Sequence, residues 1–105
     1  MQFLVVFKAR PGNDPEKFQS TLKPETAVAW SMVKEDRLRG MWYVNNLEAE
    51  GPGRAGSVLL LECANEAELR KEVSRFPLVQ HDLVSVEILP LVPFGSYELL
   101  FADSH

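Results

Sequence analysis

QFLVVFKA, residues 2–9, places Phe3, Val5 and Phe7 on one side of an extended chain and Leu4 and Val6 on the other. Successive strand side chains point to opposite faces, so a strand apolar on both sides has to be covered on both. SVLLLEC, residues 57–63, repeats the pattern, because its run Val58 to Leu61 leaves neither side polar. These two segments predict a sheet with no wetted face. How many helices the chain can supply then decides whether one copy can cover it.

Working outward from the first strand, the Pro- and Gly-containing stretch 10–15 ends it, and Asp14 followed by Pro15 marks a helix start. A carboxylate can accept from the free N–H groups of a first turn, and proline is preset for the first helical position. That segment buries Phe18 and Leu22, and Pro24 is expected to interrupt or kink it. A longer helical piece then runs from about Pro24 to Arg39, with Ala29 and Val33 four apart, Trp30 beside them, and Gly40 as its left-handed cap. MWYVNNLE (41–48) and SVLLLEC (57–63) read as an antiparallel strand pair. Asn65 with Glu68 resembles a capping box, Leu69, Val73 and Phe76 recur at helical spacing, and Pro77 ends the pattern. Leu83 to Val92 is the fourth strand, and FGSYELLF (94–101) is one more short strand or an arm.

The order is therefore β-α-β-β-α-β with a tail, an α+β ferredoxin-like arrangement that puts both helices on one face of an antiparallel sheet. Two helices cannot cover both faces, so a second sheet is needed, most simply that of another copy. A homodimer is the minimum expected assembly. The tail carries too much apolar area to hang free and is expected to pack across the subunit boundary.

Composition narrows the partners. The 105 residues are 46% hydrophobic and 25% charged, which fits one ordinary globular domain. A net charge of −4 without a basic cluster argues against nucleic acid and anionic membrane, leaving protein and small molecules. The apolar opening is too short for a signal-peptide core or a membrane span, and the single cysteine, Cys63, forbids an intrachain disulfide, so a reducing cytoplasm is the expected setting. GPGRAG, residues 51–56, matches GxGxxG, yet a strand rather than a helix follows it, so it reads as a hairpin loop and not a nucleotide site. His81, Asp82, Cys63 and His105 have no metal-ligand spacing, so no metal is expected.

LECANEAELRKEVSRFPL (61–78) and VEILPL (86–91) resemble the strand, capped helix, proline stop and final strand of the dimeric α/β barrel proteins, within them the muconolactone delta-isomerase-like group. The same block is similar to the YCII-related domains, but their first-helix histidine has no counterpart among Ala27, Trp30 and Lys34. The isomerase resemblance implies a cofactor-free enzyme that moves a proton on a small unsaturated lactone or cyclic acid, in a pocket between sheet and helices. Such chemistry needs a base beside a carbonyl, an acid to return the proton, and donors for the enolate.

Glu87 falls on the family's matching glutamate, and burial in an apolar strand would raise its pKa into shuttle range. His81 is the only internal histidine, although adjacent strand residues diverge and His81–Asp82 should not form a dyad. These two are the expected catalytic residues. Trp30, Trp42 and Tyr43 are candidates to wall a flat ring-binding pocket, and Arg10 and Arg39, with Lys8, to receive a carboxylate. Against each stands an ordinary role in core packing or at a solvated strand end. Two other functions share the fold class: a cofactor-free polyketide cyclase or monooxygenase, and a non-catalytic dimeric binding or accessory protein.

Overall fold

A computed structural model describes residues 1–44 and 56–101. Strand β1 (Gln2–Ala9) lies inside a four-stranded antiparallel sheet completed by β2 (Leu38–Val44), β3 (Gly56–Glu62) and β4 (Val84–Leu91), in the order β2-β3-β1-β4. Helices α1 (Pro15–Lys34), α2 (Glu66–Val73) and the single turn α3 (Pro77–Gln80) complete the βαββαβ order. This is the ferredoxin-like α+β architecture expected from the sequence.

Register explains which residues lie on which face. Phe3 pairs with Leu61, Val5 with Leu59 and Phe7 with Ser57 across β1–β3, and these side chains meet the helices. Leu69, Val73 and Phe76 close the core beneath Phe3, Phe7 and Leu61, all of them fully or almost fully buried. On the opposite face Leu4, Val6, Val58, Leu60 and Leu89 share rows with one another. None of them is buried. Among the described residues no element covers that side, so the chain leaves one apolar sheet face unpartnered.

The helices depart from expectation in an instructive way. Asp14 caps α1 as read, its carboxylate accepting from the Glu16 N–H at 3.0 Å. Pro24, however, does not divide the segment: α1 is one helix of 20 residues. Proline removes one backbone donor, and here it sits on the exposed side, where the carbonyl it leaves unpaired can be hydrated. Continuity changes the phase of the buried stripe, which is Thr21, Glu25, Ala29 and Met32 while Val33 and Trp30 face outward. Nor does Gly40 cap the helix; α1 stops at Lys34 with Asp36 in the left-handed region at φ 62, and Gly40 belongs to β2.

Asn65 caps α2 by accepting from the Glu68 N–H at 2.8 Å; α2 already ends at Val73, and Pro77, expected to end that pattern, instead starts α3. Arg37 meets Glu68 and Glu72, while Arg75 meets Glu72 and Glu35, a network that ties the end of α1 and the start of β2 to α2. Cys63, at the end of β3, is buried. The tail is not a strand: Gly95–Leu100 is a 3-10 helix with no buried residue, so the arm reading holds and the strand reading does not. GPGRAG lies outside the described residues except for Gly56, which opens β3.

Phe76 is fully buried and meets Phe7 edge-on, ring centroids 5.3 Å apart at 76°. Phe76→Ala should cost about 3–5 kcal/mol of unfolding free energy. Urea denaturation measures it, and a loss under about 1 kcal/mol would show that Phe76 does not anchor α2 to the sheet.

Candidate functional site

Between the helix side of the sheet and α1 lies a cleft of about 770 Å³. Phe7, Ala9 and Arg10 of β1 and its exit form one wall, Phe18, Leu22, Glu25 and Ala29 of α1 another, and Met41 to Tyr43 of β2 with Ser57 a third. Leu78 and Val84 close it from the α3–β4 side. The lining is mostly apolar with few polar groups, the composition of a small-molecule site.

Glu25 is the exceptional residue. It is 4% exposed, and its Oε1 accepts from the Leu78 N–H at 3.0 Å. Its other oxygen, Oε2, is buried without a hydrogen-bond partner. Desolvation pushes the carboxyl up to about 7, against the smaller opposing effect of the Leu78 bond. A carboxyl kept half-ionised near neutrality, with one oxygen uncommitted and a cleft beside it, can both accept and return a proton.

Arg10 stands at the rim. Its Nε lies 3.0 Å from Asp82 Oδ1. Asp82 holds a left-handed backbone at φ 56 in the turn before β4, and the Arg10 N–H and Asn13 side-chain amide both donate to the Leu83 carbonyl there. The mouth of the cleft is thus laced together by polar contacts between the β1–α1 loop and the α3–β4 turn. Among the described residues no three His, Cys, Asp or Glu side chains converge as a metal-binding group, and no helix is long and apolar enough to cross a membrane.

No protein-family model and no curated protein sequence matches the chain. Solved structures do. A 5-chloro-2-hydroxyhydroquinone dehydrochlorinase from Burkholderia phenoliruptrix, solved in complex with 2,5-dihydroxybenzoquinone, superposes with a TM-score of 0.70 at 18% identity, over 88% of this chain and 94% of that one. A muconolactone isomerase superposes with a TM-score of 0.66 at 19% identity, over 91% and 93%. The chain has the muconolactone isomerase-like fold.

Within that fold the residues singled out from sequence divide. Arg10, Trp42 and Tyr43 border the cleft. Trp42 does so only in part, because its ring folds over Gly40, where an added Cβ would come within 3.0 Å of Cζ2 and Cζ3, on the helix-free face. Trp30 is 60% exposed on the outer side of α1 and does not reach the cleft. Arg39 is turned towards Asp36, whose carboxylate and carbonyl it contacts at 3.3 and 3.2 Å.

Glu87 is exposed in the single chain, opposite Val6 on the helix-free face and away from the cleft. His81 is exposed too, ending α3 as its C-cap, and Asp82 beside it pairs with Arg10 rather than with the histidine. Neither lines the cleft. The residue that sequence reading missed is Glu25. Its signal was an acid four positions before Ala29 and three after Leu22, on the apolar stripe of a helix read as broken one residue earlier.

The raised pKa has a stability consequence. A carboxyl whose folded pKa exceeds its unfolded value is favoured in the protonated form, so its contribution is complete below about 4.5 and is lost as pH rises through about 7. Glu25→Gln, which keeps an oxygen for the Leu78 N–H, should remove that slope and stabilise the protein at pH 8 by up to roughly 3 kcal/mol. Urea midpoints at pH 5 and pH 8 test this; an unchanged slope in the variant would assign the pH dependence to another group.

Proposed function

We propose that this protein is a cofactor-independent proton-transfer enzyme acting on a small unsaturated lactone or cyclic acid, with Glu25 as its acid–base. The observation that carries the reading is the buried Glu25 carboxyl, with one oxygen lacking a hydrogen-bond partner, beside a mostly apolar cleft. The substrate ring packs between Phe7, Phe18 and Leu22, and the Arg10 guanidinium receives its carboxylate at the mouth. The Glu25 carboxylate removes a proton from the carbon next to the substrate carbonyl. The resulting enolate delocalises along the conjugated system, and the same carboxyl returns the proton at a different carbon, so no atom is gained or lost. A carboxyl near 7 serves both halves at neutral pH with little energy wasted in either. Of the two neighbours in fold, one is named for the isomerisation of a lactone, the reaction type proposed here, and the other for loss of HCl from a hydroxylated ring.

The proposal includes self-association through the helix-free face. Leu4, Val6, Val58, Leu60 and Leu89 make that face apolar, and a second copy stacked on it supplies the missing layer. His81 and Glu87 have no catalytic part in this reading.

Muconolactone and a chlorinated hydroxyhydroquinone are the substrates to offer. Proton NMR in D2O follows exchange and isomerisation of the first, and chloride release follows the second. With whichever reacts, Glu25→Gln should lower kcat by about 10²–10⁴ while Arg10→Ala acts mainly on KM. The wild-type kcat/KM should rise with pH through about 7 as Glu25 ionises. A Glu25→Gln variant as fast as wild type would remove Glu25 from the chemistry. No turnover of either compound would favour the non-catalytic binding protein.

A further inference from the structure

The cleft is wider than a small lactone acid requires. Its floor draws on all four strands: Val84 of β4, Phe7 and Ala9 of β1, Ser57 of β3, and Met41 and Tyr43 of β2. Because β4 and β2 are the two edges of the sheet, that floor spans three strand spacings, about 14 Å. A volume of about 770 Å³ lies in the upper part of the range that holds drug-sized ligands.

Both groups that act on the substrate are held at one end of this floor. The Arg10 backbone N–H donates to the Leu83 carbonyl at 3.0 Å, its Nε pairs with Asp82, and Glu25 accepts from the Leu78 N–H. Leu78, Asp82 and Leu83 all lie just before β4, so a ring that reaches the guanidinium and the carboxyl together sits over the β4–β1 half. A small lactone acid seated there leaves the β3–β2 half to water. The walls of that half suit water poorly, because Leu22 and Ala29 of α1 face Met41 of β2 across it. The Thr26 hydroxyl already donates to the Leu22 carbonyl at 2.8 Å, and Ser57 is buried in the floor between Phe7 and Tyr43. Among the described residues Arg10 and Glu25 are the only charged side chains lining the cleft, so the β2 end offers no partner to a second charge.

We propose that the substrate is an extended one, a lactone or cyclic acid bearing an uncharged aryl or branched alkyl group on the side away from its carboxylate, and that Leu22, Ala29, Met41 and Tyr43 house that group above Ser57. The inference rests on the proposed seat of the reacting ring between Arg10 and Glu25 and adds what lies beyond it. Moving an apolar group from water into this half is favourable in proportion to the area it covers. A substituent of benzene size reaches over the remaining strands, and a bare lactone acid does not. Met41 from the floor and Thr26 from α1 stand at the β2 end and limit how long the substituent can be.

Isothermal titration calorimetry with phenylacetate and para-biphenylacetate, two inert acids that differ by one ring, tests this without any turnover. The wild type should bind one biphenylacetate per chain, about 10–100-fold more tightly than phenylacetate. Arg10→Ala should weaken both acids alike, since both use the guanidinium. Met41→Trp and Thr26→Trp should each erase most of the difference between the two; Thr26 is exposed, so its variant decides the matter if Met41→Trp does not fold. Equal affinities in the wild type would overturn the extended substrate and leave the proton transfer at Glu25 standing, because that chemistry needs only the β4–β1 half. Binding of neither acid would overturn the extended substrate together with the Arg10 seat. A biphenylacetate preference that survives both tryptophan variants would assign it to the apolar sheet face and overturn the inference as well. Conversely, a Glu25→Gln variant that turns substrate over unimpaired would remove the proposed chemistry, while a preference lost in the tryptophan variants would keep the long pocket.

Discussion

The phase of α1 against the sheet governs the rest of the molecule. Because the helix runs unbroken through Pro24, its inward stripe falls on Thr21, Glu25, Ala29 and Met32, and one carboxyl is carried into an apolar interior. Only one of its oxygens finds a donor there, the Leu78 N–H at the start of α3. That bond fixes α3 against α1 and leaves the second oxygen buried without a hydrogen-bond partner beside the cleft. A helix phased around Val33 and Trp30 instead would have presented aliphatic and aromatic groups inward, and the cleft would be an ordinary core.

Burying an ionisable group without a counter-charge is expensive, and protein interiors avoid it unless the group has work to do. The same molecule places its other charges conventionally. Arg37 and Arg75 share Glu72 at the periphery, where partial exposure leaves each pair of modest value and the network serves mainly to fix the relative position of α1, β2 and α2. The contrast between a satisfied outer network and one unsatisfied inner oxygen is the physical basis for proposing chemistry at Glu25.

Much of the architecture was legible in the residues. Alternation in residues 2–9, the Asp14–Pro15 and Asn65–Glu68 starts, and the apolar third strand were sufficient for the topology and for the uncovered sheet face. The site was less legible because it depends on phase and side. One proline on an exposed helix position reads like a break, and that reading rotates the buried stripe away from Glu25. In β4, alternation alone does not say which face is inside; pairing of Val5 with Ile88 and Val6 with Glu87 decides it, and those are non-local contacts. The tail's composition fitted a strand, yet Gly95–Leu100 forms a 3-10 helix.

Cys63 offers an unplanned gauge of motion. Burial first, and then the carboxylates of Glu68 and Glu72, hold its thiol above the ordinary range, so in the closed molecule it is both hidden and poorly nucleophilic. It is also the sole sulfhydryl in the chain. Alkylating reagents therefore have a single target whose labelling waits on separation of β3 from the network behind it, and the rate of that reaction is a clock for how often the interior lets solvent in.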